Sequence, residues 1–284
     1  MGFAIDKLDA WSPDGEFKVE ADRSTAYAAA TNDPIPAHRD GDLAPPVFSV
    51  VPVWDTMATA MASVTPQEHL LQVVHGEQDM RWHRPLKPGD LITSRAAPIG
   101  VHVKPSGTTV VVKIESRDQS GELVVEQYTT TFFRGIAEGE GAGETAPEHK
   151  LTLEVKQGDP VATVTQQMDS DQTFRYAEAS GDHMPIHLDE EVAKSVGLPG
   201  IIIHGLCTMA FTSWAVITSV AGGDPARLRR LAVRFSRPVL PGQEITTRIW
   251  RAEERDDITV YGFETSNPDG NLVVKDGLAE VAGR

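Results

Sequence analysis

Several features that would assign this chain to a class at once are missing or scarce. A single cysteine excludes an internal disulfide and agrees with the cytoplasmic location that we expect. No apolar run approaches the roughly 18 residues that cross a bilayer, and the first residues do not follow the pattern of a secretory signal. No glycine-rich phosphate loop and no zinc-type histidine spacing occur. We therefore expect no membrane anchor, no metal and no nucleotide cofactor.

Positive charge is also scarce. The chain has 26 Lys and Arg against 41 Asp and Glu, which gives a formal net charge of −15. Binding to nucleic acid requires a basic face that neutralises phosphates, so we expect no nucleic-acid partner. The composition, with 40% hydrophobic and 24% charged residues, is that of a globular protein.

What the sequence does contain is an internal repeat. Residues 176–209 read YAEASGDHMPIHLDEEVAKSVGLPGIIIHGLCTM, and residues 27–57 read YAAATNDPIPAHRDGDLAPPVFSVVPVWDTM. The offset is 149 in each of five pairs, Tyr27 and Tyr176, Asp33 and Asp182, Pro36 and Pro185, His38 and His187, and Asp40 and Asp189. Agreement at scattered positions indicates a duplicated unit.

Later motifs extend the repeat along the chain. RPLKPGD at residues 84–90 corresponds to RPVLPGQ at 237–243, and GELVV at 121–125 recurs as GNLVV at 270–274. Between the halves, GIAEGEGAGETAP at 135–147 has no apolar periodicity and is typical of a flexible linker. We predict domains at 1–135 and 151–284, joined by a linker at 136–150.

Each half has the same predicted order of strand, apolar helix and several strands. LDEEVAKSVG predicts a short helix that ends at Gly197, and residues 206–220 are apolar on nearly every face, as in a buried helix. Alternating segments separated by turn residues then predict strands at 80–86, 91–100, 109–116 and 124–135, and at 231–240, 244–254, 258–266 and 272–281. The pattern predicts an α+β fold in which an antiparallel sheet wraps one central helix in each half.

SGDHMPIHLDEE and the later GIIIHG resemble the hydratase motif Gly-Asp-x-Asn-Pro-Ile-His of the MaoC-like, (R)-specific enoyl-CoA hydratase and 3-hydroxyacyl-thioester dehydratase family. The resemblance implies a double hot-dog fold. It also implies that Asp182 and His187 are the catalytic pair, and that the Gly205 backbone amide holds the thioester oxygen. His204 would support that turn or be an ordinary structural residue. Met184 stands where the motif has Asn, which puts the geometry of the loop in question.

The expected reaction is reversible syn hydration of a trans-2-enoyl thioester to an (R)-3-hydroxyacyl thioester, carried by coenzyme A or acyl carrier protein. Asp182 and His187 would hold one water, and positioned acid-base groups are worth about 10² to 10⁴ in rate. Coenzyme A would be part of the substrate, with no separate cofactor. As alternatives, Asp182 caps a turn and His187 bonds to Asp189 at the surface. Two other function classes stay open: a hot-dog acyl-thioesterase, and a noncatalytic acyl-thioester-binding or scaffold subunit, which Met184 suggests.

The first copy of the motif keeps Asp33 and His38 but departs from the second elsewhere. Asn32 replaces the turn glycine, and Val50 and Val51 replace His-Gly. The spacing from the histidine to the next proline falls from 12 residues (199 minus 187) to seven (45 minus 38). We favour a noncatalytic first copy whose shorter segment leaves room for the acyl chain. A second active site is the alternative.

Two other features have a structural and a functional interpretation. Cys207, within the predicted buried helix, is expected to be an inert core thiol and not a nucleophile. A basic cluster fits either a solvated face balanced by acids or a dock for coenzyme A phosphates or an acidic carrier protein; it comprises Arg227, Arg229, Arg230, Arg234 and Arg237. Because the duplication already joins two units, both a monomer and a homodimer are compatible with the sequence.

Overall fold

The computed structural model describes residues 2–283, apart from the side chains of residues 71 and 72. The chain forms two compact units. The first comprises Met1–Lys18, Pro52–His83 and Asp90–Glu148, and the second comprises Val19–Val51, Arg84–Gly89 and His149–Arg284. Residues 19–51, which contain the first copy of the motif, thus group with the second unit. The units are therefore not the same sets of residues as the predicted domains 1–135 and 151–284, and that division stays a prediction.

Strands supply most of the regular structure. In chain order they are β1 (Gly15–Lys18), β2 (Val73–Trp82), β3 (Leu91–Lys104), β4 (Gly107–Arg117), β5 (Leu123–Arg134), β6 (Ala142–Gly143), β7 (Ala162–Gln167), β8 (Leu228–Phe235), β9 (Glu244–Arg255), β10 (Ile258–Ser266) and β11 (Leu272–Ala282). The first unit contains the order β1-β3-β4-β5-β2, with β6 beside β3, and the second contains β8-β11-β10-β9-β7. Every pair within these two series is antiparallel, as the turn-separated alternating segments predict.

The helices are α1 (Ala21–Ala30), α2 (Pro36–Arg39), α3 (Trp54–Val64), α4 (Leu153–Gln157), α5 (Gln172–Ser180), α6 (Glu190–Ser195) and α7 (Gly205–Val220). Short 3-10 turns lie at Ile5–Lys7, Pro46–Val53, Gln67–Gln72, Pro185–His187 and Pro225–Arg227. The predicted α+β class is confirmed. The predicted short helix is α6, and Gly197, just beyond it, has a φ of 81°.

Helices α7 and α3 are the central helices of the two units, and they are buried to different extents. All residues of α7 from Leu206 to Ser213 are buried, and α7 packs on β7, β8 and β9. On α3, which packs on β3 and β4, only Thr56, Ala60 and Val64 are buried, at a spacing of four that marks a single face. The sequence predicts the buried character of α7 correctly, whereas α3 is buried on one side only.

The helical segment Pro46–Val64 is longer and more apolar than any run expected from the sequence. It spans 19 residues with a mean hydropathy of 1.3, and half of its most apolar window is buried. Length and composition alone would allow such a segment to cross a membrane. Its partial burial is also what the core helix of a globular domain shows.

Part of the predicted linker is ordered. Residues Ala142 and Gly143 form β6, which pairs with Val101 and Gly100 of β3. The glycine at 143 is needed there because its φ is 83° and a Cβ would lie 2.2 Å from the carbonyl oxygen of Ile99. The prediction of a flexible linker is therefore wrong for these two residues.

Helices α1 and α5 occupy equivalent positions in the two copies and pack against each other within the second unit. The hydroxyl oxygens of Tyr27 and Tyr176 lie 3.2 Å apart, and their rings make an edge contact at 5.5 Å. Both side chains are fully buried. This packing brings the first copy of the motif close to the element that leads into the second copy.

Side chains from the second copy cap the C-terminal end of α1. Gln172 donates to the carbonyl oxygen of Ala30, Arg175 donates to that of Ala29 at 3.1 Å, and Trp214 donates to that of Thr31 at 3.1 Å. A helix leaves its last carbonyls without intrahelical partners. Three of these carbonyls therefore obtain their donors from α5 and α7.

Candidate active site

The candidate catalytic loop follows α5 directly. Helix α5 ends at Ser180 and is followed by Gly181, whose φ of 84° is the left-handed conformation that favours glycine at a helix C-terminus. The chain then passes Asp182, forms the 3-10 turn Pro185–His187 and enters α6. Asp189 caps α6, because its carboxylate accepts the amides of Glu191 and Val192 at 2.9 and 3.0 Å. Rigid elements thus flank the loop on both sides.

Asp182 is 8% exposed, and its carboxylate has one defined protein partner. Its Oδ1 accepts the amide of Met184 at 3.1 Å, and its own amide donates to Ser180 Oγ at 3.2 Å. The turn-capping interpretation is thus correct for one oxygen. Burial raises the pKa of the Asp182 carboxyl, and the nearby His187 opposes that shift. Met184 contributes only its backbone amide to this contact. Every residue except proline has that amide, so the replacement of the motif's Asn by Met does not remove the hydrogen bond.

His187 is bound at one ring nitrogen only. Its Nδ1 lies 2.8 Å from the carbonyl oxygen of Ile202. A carbonyl only accepts, so Nδ1 carries the proton and Nε2 of the neutral ring presents a lone pair. Burial lowers the pKa of His187, which favours this neutral form. The alternative in which His187 bonds to Asp189 is not what the structure shows.

The two side chains are spaced for a shared water. Their carboxylate oxygen and ring nitrogen lie within 4.8 Å of each other. A water that makes a hydrogen bond of about 2.8 Å to each of two groups spans about 4.5 Å. The pair can therefore hold one water between an acceptor carboxylate and an acceptor imidazole nitrogen.

His204 is a structural neighbour of both groups. Its Nε2 lies 3.0 Å from the carbonyl oxygen of Asp182, its Nδ1 lies 3.1 Å from Thr173 Oγ1, and its ring stacks on that of His187 at 3.7 Å. The ring is 1% exposed, and burial lowers its pKa to about 2. Both nitrogens are occupied, so His204 supports the loop and stays neutral. The sequence motif offers no signal for Thr173.

Gly205 is the first residue of α7, directly after His204. Its amide is one of the N–H groups that a helix leaves without an intrahelical acceptor, and the helix dipole there favours negative charge. A Cβ at this position would lie 3.3 Å from the ring of Phe235, so glycine permits the close packing of that ring. The position suits an amide that stabilises a developing oxyanion.

Asp182, His187 and His204 form the one group of three potential metal-ligating side chains found among residues 2–283. The hydrogen bonds leave His204 without a free nitrogen and His187 with one. The two imidazole planes also stack at 25°, so their lone pairs do not converge on one point. These residues do not fit a metal, because only one imidazole nitrogen and one carboxylate are available as ligands.

The first copy of the motif is closed. His38 Nδ1 lies 2.7 Å from Asp33 Oδ2, and Asp33 Oδ1 accepts the amide of Ile35 at 2.9 Å. His38 is fully buried, and its Nε2 has no hydrogen-bond partner. The carboxylate and imidazole that are separated in the second copy bind each other here, which leaves no room for a water between them.

Cys207 and three arginines of the basic cluster lie in surroundings that indicate a structural role. Cys207 is fully buried, and burial raises the pKa of its thiol, as expected for an inert core cysteine. In the basic cluster, Arg227 donates to the carbonyls of Ala282 and Ala221, Arg230 lies 3.3 Å from Glu280, and Arg234 lies 3.9 Å from Asp276. These contacts favour a balanced face over an anion dock for those three arginines.

Fold and site together bring a buried carboxylate and a buried imidazole close to the N-terminus of a helix, an arrangement suited to acid-base chemistry. Residues 152–267 match the family described as the MaoC like domain, and residues 38–135 match the MFE-2 hydratase 2 N-terminal domain. The 3-hydroxyacyl-thioester dehydratase Y of Mycobacterium tuberculosis is 33% identical over 74% of this chain and 73% of its own length. The chain belongs to this MaoC-like family of enoyl-CoA hydratases and 3-hydroxyacyl-thioester dehydratases, which are hydro-lyases.

Other relatives agree. The peroxisomal multifunctional enzyme type 2 of Drosophila melanogaster is 32% identical over 80% of this chain, but the chain spans only 39% of that enzyme. A MaoC-like dehydratase from Phytophthora capsici superposes with a TM-score of 0.86 at 26% identity, covering 99% of both chains. A Mycobacterium tuberculosis protein with a double hotdog fold, 12% identical with a TM-score of 0.60, supports the fold alone. The predicted double hot-dog fold is confirmed.

Proposed function

We propose that this chain catalyses the reversible syn hydration of trans-2-enoyl thioesters to (R)-3-hydroxyacyl thioesters, with Asp182 and His187 as the acid-base pair. The observation that carries the proposal is the buried Asp182 carboxylate with a ring nitrogen of His187 within 4.8 Å, while the bond from Nδ1 to the Ile202 carbonyl leaves Nε2 as the lone pair of the neutral ring. Relatives named 3-hydroxyacyl-thioester dehydratase and enoyl-CoA hydratase 2 support the same reaction.

The mechanism follows from the positions of the groups. A water held by both side chains loses a proton to His187 Nε2 as its oxygen attacks C3 of the enoyl thioester. The electron pair of the double bond moves towards the thioester oxygen, where the Gly205 amide stabilises the negative charge. The pair then returns a proton to C2 from the same side. Hydroxyl and hydrogen thus arrive on one face, and the reverse sequence is dehydration.

The neutral, buried imidazole of His187 suits this exchange. A general base must be unprotonated when it meets the water, and burial lowers the pKa of His187 in that direction. Exclusion of bulk solvent also strengthens the hydrogen bond between the Gly205 amide and the developing oxyanion. Coenzyme A or acyl carrier protein would enter as part of the substrate.

Activity on enoyl-CoA tests the proposal against the two alternatives. Hydration should remove the absorbance of the conjugated enoyl thioester without releasing free thiol. A thioesterase would release thiol, and a noncatalytic binding subunit would do neither. Thiol release at the rate of absorbance loss would therefore reject the hydratase.

The proposal also includes the cellular location, the partners and the oligomeric state of the enzyme. We expect a cytoplasmic enzyme that acts on free acyl-CoA or acyl carrier protein thioesters without nucleic-acid or membrane partners. Some relatives are named as peroxisomal enzymes, so cell fractionation is the direct check on location. Light scattering during size-exclusion chromatography separates a monomer from a homodimer.

A further inference from the structure

Thr173 lies on α5 directly beneath the catalytic loop. The residue is fully buried, and its single hydroxyl lies close to three groups of the site. Thr173 Oγ1 is 3.1 Å from His204 Nδ1, 3.1 Å from the carbonyl oxygen of His187 and 3.4 Å from the carbonyl oxygen of Ile202. The last of these carbonyls is the one that accepts the proton of His187 Nδ1. One hydroxyl therefore touches every segment that orients the pair.

Proton counting decides which way these hydrogen bonds run. The carbonyl oxygen of Asp182 only accepts, so His204 Nε2, 3.0 Å away, carries the proton of the neutral ring. His204 Nδ1 is then a lone pair that needs a donor. The Thr173 hydroxyl lies 3.1 Å from this lone pair and divides its one proton between His204 Nδ1 and the carbonyl oxygen of His187, while His204 donates to Asp182.

This chain of hydrogen bonds fixes three features at once. It sets the tautomer of His204, it ties the backbone of Asp182 to α5, and it holds the His204 ring against the ring of His187 at 3.7 Å. If the donor to Nδ1 is lost, that nitrogen becomes a buried lone pair without a donor, and the Asp182 carbonyl alone favours the tautomer with the proton on Nε2. Catalytic groups must be held within a fraction of an ångström, and a displacement of about 1 Å can cost about 10² in rate.

We propose that Thr173 is a positioning residue that acts through His204 to hold Asp182 and His187 in their reactive arrangement. This inference rests on the proposed hydratase function. Thr173 does not touch the reacting atoms, so its loss should lower kcat and leave substrate binding nearly unchanged.

Three variants test the proposal. Thr173→Val keeps the shape and removes the hydroxyl, Thr173→Ser keeps the hydroxyl, and Thr212→Val is a matched control. Thr212 is also fully buried, but its hydroxyl donates to Met209 within α7. We expect Thr173→Val to lower kcat at least about tenfold with KM within about twofold, whereas Thr173→Ser and Thr212→Val stay within about threefold of wild type. Thr173→Ala repeats the test if the valine variant does not fold.

The tautomer provides a readout independent of activity. Imidazole ¹⁵N shifts of the histidine-labelled protein should show His204 protonated at Nε2 in the wild type and in Thr173→Ser, and altered in Thr173→Val. Unchanged shifts and unchanged kcat in Thr173→Val would overturn the proposal. A parallel loss of activity and melting temperature in all three variants would also overturn it, in favour of a general packing role. Wild-type protein inactive on enoyl-CoA would refute the hydratase function, while the shifts would still test the Thr173 contact.

Discussion

At the residue scale, the two copies use the same residue types in opposite ways. Asp33 and His38 bind each other directly at 2.7 Å, whereas Asp182 and His187 are each held by backbone groups and keep one side free. The difference arises because Ile202 offers its carbonyl to His187 Nδ1, while His38 Nδ1 takes the Asp33 carboxylate. Because the imidazole of His38 binds the Asp33 carboxylate directly, no water can bridge the two groups.

The catalytic pair is expected to act as a unit. Asp182→Asn and His187→Ala should each lower kcat by at least about 10², since each removes an acid-base group. The double variant should be little worse than the poorer single variant, because both residues act on one water. Loss of enoyl absorbance measures the rate, and circular dichroism checks the fold. Near wild-type rates in both single variants would exclude the mechanism.

The pH dependence follows from the direction of the pKa shifts. Burial lowers the pKa of His187 below its usual 6.5 and raises that of Asp182 above its usual 3.8. The base form of His187 therefore persists below pH 6.5, and ionised Asp182 is lost only as pH falls through its raised pKa. We expect kcat/KM to fall at acid pH as ionised Asp182 is lost, and we expect protonation of His187 to contribute only below pH 6.5. Ring signals of His187 that titrate above pH 6.5 in an NMR experiment would contradict this assignment.

The sequence motif predicts Asp182, His187 and Gly205 as site residues because they lie in two short strings, one in the loop after α5 and one at the start of α7. His204 follows from the same string, although its two partners do not. Thr173 is 31 residues from His204, and nothing in QTFRYAEAS marks that threonine. Only the packing of α5 under the loop makes its hydroxyl part of the site.

At the element scale, α1 and α5 show how the copies have kept one geometry with different residues. Gly181 and Asn32 occupy equivalent positions and both have positive φ, 84° and 48°. Asparagine adopts the left-handed conformation more readily than most residues, so the replacement preserves the turn. Asn32 also donates to Asp169 at 3.0 Å. The loss of glycine is therefore not evidence against activity in the first copy; the closed Asp33 and His38 pair is.

The first copy should support the fold and not the reaction. Asp33→Asn and His38→Ala should leave most of the activity intact when assayed well below the melting temperature. His38→Ala should also lower the free energy of unfolding by about 1 to 3 kcal/mol, because it leaves an oxygen of the buried Asp33 carboxylate without its partner. Urea unfolding measures the second effect. A collapse of kcat at unchanged stability would instead place chemistry in the first copy.

Most of the strands and the buried helix α7 could be predicted from the sequence because alternation and uniform apolarity act locally. For β2 the predicted segment 80–86 covers only the last three residues, and no bounds are predicted for β1, β6 and β7. Helices α1 and α5 could not be predicted in this way, because each is short and depends on distant partners. The last carbonyls of α1 bind side chains of Gln172, Arg175 and Trp214, and no local pattern encodes these contacts. Stability of short helices in proteins comes largely from such tertiary contacts.

At the scale of the whole molecule, the repeat in the sequence and the compact units of the structure divide the chain differently. Residues 19–51 belong by sequence to the first half and by contacts to the second unit. The second unit therefore contains Asp33 and His38 of the first copy together with Asp182 and His187 of the second copy. A sequence repeat shows what was duplicated but does not show which parts pack together.

Substrate size is the prediction that belongs to this scale. The segment from His38 to Pro45 is five residues shorter than its counterpart from His187 to Pro199. If this shortening leaves room for the acyl chain, each further buried methylene adds about 0.8 kcal/mol to binding. We expect kcat/KM to rise from crotonyl- to octenoyl- to dodecenoyl-CoA until the chain fills its site. A preference for crotonyl-CoA would reject the open site and leave the roles of Asp182 and His187 unaffected.

The order of synthesis determines when the C-terminal end of α1 can be capped. The donor side chains lie 142, 146 and 183 residues further along the chain than the carbonyls they bind. At about 5 to 20 residues per second, the ribosome takes roughly 10 to 40 s to make them after α1 has been translated. During that interval the last carbonyls of α1 lack these side-chain donors, and the contact between Tyr27 and Tyr176 cannot form. Helix α1 can therefore be capped fully only after Trp214 has been made.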